Sequence, residues 1–160
     1  LENKYRSALW LIKSIDQRRQ TIYKVGKSII KLQKNFLDNG LKNAKTANEA
    51  KDLLETATLK LIELLPDYSD LVFSASFYLP KCIEERNRAK KYYKQTFRKI
   101  IKKGWPGKID TVLDRQTDLI LLSMYGFYEY CAKVGKRERK AIHKDFTNMI
   151  NLHLQDRLFF

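Results

Sequence analysis

The sequence predicts an all-α fold, a bundle of five or six helices, and three observations carry that expectation. Six glycines and three prolines in 160 residues suit a few long elements better than many short strands joined by turns. Apolar residues recur at steps of three and four over most of the chain, the period of a helix with one buried side. A hydrophobic content of 44%, of which aromatics are 12% of the chain, supplies a core and excludes a disordered polymer.

The first helix is expected over residues 3 to 37. Val25, Ile29, Leu32 and Phe36 follow at steps of four, three and four, with Ile12, Ile15 and Ile22 leading in. Gly26 is a point where a helix can bend or a neighbour come close. Asp38, Asn39 and Gly40 read as a stop, because Asn and Gly tolerate the left-handed backbone that ends helices. Thr46, with Glu49 three residues on, is a capping-box pattern. It starts a second helix whose apolar face is Ala50, Leu53, Leu54, Ala57, Leu61 and Leu64 or Leu65. A loop is expected at residues 66–70. The apolar segment 71–79 could pass for a strand, but no second strand exists to pair with it, so a short third helix is expected.

The fourth helix, residues 81–103, ends where Gly104, Pro106 and Gly107 force a turn. The fifth, about 109 to 133, is apolar nearly all round beyond Asp118, as expected of a helix packed on several sides. Gly135 interrupts. The sixth, about 136 to 158, turns Ile142, Phe146, Met149 or Ile150, and Leu154 inward.

A formal charge of +14 implies an acidic partner, with nucleic acid foremost. Cys82 and Cys131 stand far apart in helical contexts and read as reduced thiols rather than a disulfide framework or a zinc knuckle. No secretory leader opens the chain. The longest apolar run, 119–132, contains Glu129 and falls short of the roughly 20 residues of a membrane span. A cytoplasmic protein without membrane attachment is expected.

The charge is concentrated. Residues 1–40 carry nine basic and three acidic side chains, a net of +6; residues 81–103 carry a net of +8, and residues 133–144 a net of +5. On the fourth helix Arg88, Lys91, Arg98 and Lys102, with Gln95 between them, step along a face separate from the apolar one. Such a row, joined by Lys94, suits a phosphate backbone, and Tyr92 beside it could stack on a base or sugar. The bland alternative is a solvated face. Lys136, Arg137, Arg139 and Lys140 form a second basic patch at a helix start, where cations oppose the helix dipole. Asp110, Asp114 and Asp118 make an acidic row at steps of four. A metal would need a further ligand from elsewhere, so pairing with the basic helices is the stronger expectation. His143 and His153 are too far apart for a tight metal clasp. Metalloprotease, phosphate-loop, nucleophile-elbow and paired-cysteine motifs are absent from the sequence, and no enzyme, metal site or cofactor is expected.

One stretch is more specific. Trp10, Leu11, Ile12, Ser14, Ile15, Gln17, Arg18, Thr21, Ile22, Lys24 and Val25, followed by Ile29, Ile30, Gln33 and Phe36, resemble the core-RNA-polymerase-binding region of bacterial sigma factors of the sigma-54 class. The resemblance covers residues 8–40. It implies a helical, non-catalytic segment that helps hold a sigma factor on core RNA polymerase. It makes Lys13, Gln17, Arg18 and Arg19 candidates for polymerase contact, and Trp10, Ile15, Ile22 and Ile29 packing residues. The helix-turn-helix and C-terminal box that follow in that family have no counterpart after Gly40. Residues 1–40 therefore read as a sigma-54-like segment and 41–160 as a helical bundle of no recognised family. The two either form one domain or are fused.

The expected function is a non-enzymatic helical protein of bacterial transcription, binding core RNA polymerase, DNA or both through basic helical surfaces. The alternatives are a general nucleic-acid-binding module of a phage, mobile element or defence system, and a protein-protein interaction module.

Overall fold

A computed structural model of the chain describes residues 15–64, 80–131 and 133–155. They form five helices: α1 Ile15–Asn43, α2 Ala47–Leu64, α3 Pro80–Gly104, α4 Asp110–Cys131 and α5 Lys136–Leu154. No strand occurs among the described residues, and the all-α bundle is what this chain forms. The loop at 66–70 and the segment 71–79 expected after it lie outside the described residues.

α1 runs through Asp38, Asn39 and Gly40 to Asn43, past the expected stop. The reason is steric. A Cβ at position 40 would collide with the Leu53 side chain, so Gly40 admits the close approach of α2 while its own backbone stays helical. The turn falls at 44–46 instead. There the capping box forms as the sequence predicts: Glu49 Oε2 accepts from the backbone N–H groups of Thr46 at 2.7 Å and Lys45 at 2.6 Å, and Glu49 N–H donates to Thr46 Oγ1 at 3.2 Å. These bonds hold the Glu49 carboxyl below its ordinary range.

The buried row of α1 is Ile29, Gln33 and Leu37, at steps of four. Leu32, expected inward, is 61% exposed. Its place is taken by Gln33, whose side-chain oxygen accepts the hydroxyl of Tyr93 from α3 while its Nε2 has no partner among the described residues.

Gly104 at the end of α3 meets Lys51 and Ala47 at the start of α2, the same end that receives Gly40. α1 and α3 therefore run in one direction and α2 in the other. α2 and α3 share the most extensive contact, and α4 and α5 close the bundle on them. Leu37, Leu54, Phe97, Ile100, Ile101, Leu113, Ile120, Ile150 and Leu154 belong to one buried cluster. Phe127 and Phe146 stack across α4 and α5 at 4.2 Å. His143 is buried, with Nε2 3.1 Å from Thr58 Oγ1. Trp105, buried in the turn after α3, lies under the Lys51 ammonium, and Gly107 supplies a φ of 95° that a side chain would strain.

Two expectations about the later helices are corrected. α4 is not packed all round: Leu119, Leu122, Tyr125 and Tyr130 are exposed, because its partners α3, α5 and α2 sit on the side of Leu113, Ile120 and Phe127. α5 ends at Leu154, with Gln155 as cap, rather than at 158, and of its alternative pair Ile150 faces inward while Met149 is 40% exposed. Among the described residues no helix is long and apolar enough to cross a membrane.

Candidate nucleic-acid interface

The two sides of α3 have different fates. Toward α4, Lys94, Arg98 and Lys102 repeat at steps of four and meet the acidic row on α4. Lys94 Nζ lies 2.7 Å from Asp118; Arg98 Nε donates to Asp114 at 2.5 Å and its Nη2 to Asp110 at 2.8 Å; Lys102 Nζ reaches Asp110 at 3.3 Å. Arg98, and then Lys102, depress the Asp110 carboxyl, while Asp114 and then Asp110 raise the Arg98 guanidinium. The acidic row thus pairs with a basic helix, as expected, and these three cations present a largely neutralised ladder to solvent.

Toward α1 the arrangement is open. Tyr92 donates its hydroxyl to Asp38 at 2.6 Å, with the Lys34 carbonyl at 3.2 Å, and the Lys34 ammonium stands 4.8 Å from the centre of its ring. Burial, with the Asp38 bond second, pushes the Tyr92 hydroxyl up to about 12. The ring is committed to the α1–α3 contact, so it offers no stacking platform for a base. Arg88 is exposed beside Glu84 and Glu85, at 3.7 and 3.5 Å. Lys99, seven residues after Tyr92, is exposed and has no carboxylate beside it among the described residues; the same is true of Lys91, which lies on the stripe of Lys94 and Arg98.

The remaining candidates lie apart. Gln17 and Arg19 are exposed near the start of α1; Lys13 and the Arg18 side chain lie outside the described residues. On α5, Arg137 and Lys140 are exposed, whereas Arg139 is half-buried and donates to the Val134 carbonyl at 2.9 Å. The Lys136 side chain is not among those described. Among the described residues no group of three or more potential ligands could hold a metal ion.

The lysines of α1 are not among the contact residues expected from the sequence. Lys24, Lys27, Lys31 and Lys34 fall at steps of three, four and three, one stripe along the side of α1 that ends at Tyr92. Their spacing was the available signal.

Residues 1–53 match the family model of the sigma-54 DNA binding domain. The match takes in α1 and the start of α2, about a third of the chain. It supports the sigma-54 resemblance and a DNA-binding role related to transcription, and it moves the resemblance from the polymerase-binding region to the DNA-binding one. No curated protein and no solved structure matches the chain.

Proposed function

We propose that this chain is a non-catalytic DNA-binding protein of bacterial transcription. The match of residues 1–53 to a sigma-54 DNA binding domain carries the reading, and the charge supports it. The matched residues include α1, whose lysine stripe is exposed but for the half-buried Lys34, whereas the cations of α3 nearest α4 are taken up by aspartates. Unneutralised cations on a rigid helix release counterions when they meet a phosphate backbone, and binding then weakens steeply with salt.

The second reading is contact with core RNA polymerase through Lys13, Gln17, Arg18 and Arg19. It is favoured by the pattern from Trp10 to Phe36 and by the exposure of Gln17 and Arg19. One experiment separates the two: binding of the whole chain to a mixed-sequence duplex and to core RNA polymerase, side by side at low and moderate salt. The DNA reading expects salt-sensitive duplex binding that an Arg18→Glu/Arg19→Glu variant weakens only modestly. Polymerase capture that resists salt and is lost in that variant, without duplex binding, would replace the first reading by the second.

A further inference from the structure

The two parallel helices α1 and α3 leave a seam between them, pinned in its middle by Tyr92 on Asp38. Lys34 stands over the Tyr92 ring, and Lys24, Lys27 and Lys31, all exposed, lie on the α1 stripe that leads to it at steps of three and four. Along α3, Arg88, Gln95 and Lys99 lie four residues before and three and seven after Tyr92, on the stripe that contains it. Among the described side chains the carboxylates of this region are Asp38, held by Tyr92, and Glu84 and Glu85, beside Arg88. They leave a clear excess of positive charge. Lys24, Lys31 and Lys99 have no carboxylate partner among the described residues.

We propose that the α1–α3 seam is where duplex DNA docks, its phosphates tracked by Lys24, Lys27 and Lys31 on one edge and Lys99 on the other. This rests on the DNA-binding reading above and adds a surface to it. Dimensions and chemistry both select the duplex. From Lys24 to Lys34 the helix rises about 15 Å, some four base-pair steps of one strand at 3.4 Å each. Proteins that hold single strands stack bases on exposed aromatic rings. Among the described residues the rings at this contact are capped or anchored: Tyr92 lies under Lys34 and donates to Asp38, Tyr93 donates to Gln33, and Tyr23 lies under Lys27, so the seam reads backbone charge and not base faces. The Lys94–Arg98–Lys102 flank, matched by three aspartates, takes no part.

The test compares two variants that each remove two positive charges from the full chain. Lys31→Gln/Lys99→Gln alters the seam; Lys94→Gln/Lys102→Gln alters the opposite flank of α3. Circular dichroism confirms that both keep the native helix content, and the slope of log affinity against log salt is measured on a mixed-sequence duplex, with single-stranded RNA as competitor. The seam variant is expected to lose about two phosphate contacts, so its slope becomes shallower by roughly 2 and its affinity falls at least tenfold, while the flank variant stays within twofold of the native chain. Equal losses in both variants, or loss in the flank variant alone, overturn the seam and leave DNA binding standing. Preference for the RNA competitor overturns the duplex as occupant. A native chain that does not bind the duplex overturns the DNA-binding reading itself.

Discussion

The two flanks of α3 are built from the same residue types and end with opposite electrostatic characters. On the α4 side Lys94, Arg98 and Lys102 are met by Asp118, Asp114 and Asp110; on the α1 side Lys99, and Lys24 and Lys31 across the seam, have no carboxylate beside them among the described residues. A net charge counted along one helix therefore says little about where an acidic partner lands. What decides it is which neighbour the fold brings alongside. Exposed ion pairs of this kind add little to stability, and their larger consequence is to withdraw one flank from the surface potential.

The first way to break the comparison is to remove the platform that holds both flanks. Phe97 is fully buried in α3, and Phe97→Ala is expected to cost about 3–5 kcal/mol, read as a drop in the urea midpoint and as loss of duplex binding. A more selective change acts on the α1 side alone. Gly40→Val places methyl groups where Leu53 already sits; overpacking of this kind costs about 1–3 kcal/mol. Denaturation should show it, with duplex affinity reduced while the α3–α4 ladder stays intact.

Erasing the difference between the flanks sharpens the comparison. In Asp110→Asn/Asp114→Asn/Asp118→Asn the three cations of the α4 side lose their counter-charges, and a second basic flank appears. Duplex affinity at low salt should rise about tenfold, and the salt slope should steepen by roughly 1 to 3. Unchanged binding would mean that the ladder is not what keeps that flank from DNA.

The smallest effects are in pH dependence, and they act on opposite sides of neutrality. Asp110 is held below its ordinary 3.8 by Arg98 and Lys102, so it binds fewer protons folded than unfolded. Its stabilisation is present above that value and is lost as pH falls from 3.8 through the lower native value; Asp110→Asn should flatten that acid limb. Tyr92 is shifted the other way, from 10.0 to about 12. Its contribution is complete below pH 10 and is lost as pH rises toward 12. Tyr92→Phe should remove that alkaline limb and cost about 1 kcal/mol at neutral pH, as the hydrogen bond to Asp38 goes while the ring remains.

Much of this architecture was legible in the sequence. The Thr46–Glu49 box, the apolar faces of α2 and α3, and the turn at Gly104 to Gly107 announce themselves through local chemistry. Gly40 misled because its function is tertiary: a glycine that ends a helix and one that admits a neighbour look alike until the neighbour is placed. Leu32 and Gln33 exchange places for a similar reason, since only the Tyr93 hydroxyl makes a buried glutamine acceptable. The ion-pair ladder is legible partner by partner. Lys94, Arg98 and Lys102 lie twelve, eight and four residues before Pro106, and Asp118, Asp114 and Asp110 the same distances after it. A helical hairpin turning at Pro106 puts each cation opposite its aspartate. The α1–α3 seam had no such cue, because those helices are not consecutive.

The most direct measurement is lysine footprinting of the whole chain with an amine-reactive reagent, read by mass spectrometry with and without saturating duplex DNA at low salt. The account predicts that DNA protects Lys24, Lys27, Lys31 and Lys99 several-fold and leaves Lys94 and Lys102 unchanged. Protection of Lys94 and Lys102 with the α1 lysines fully reactive, or no protection anywhere, would contradict it.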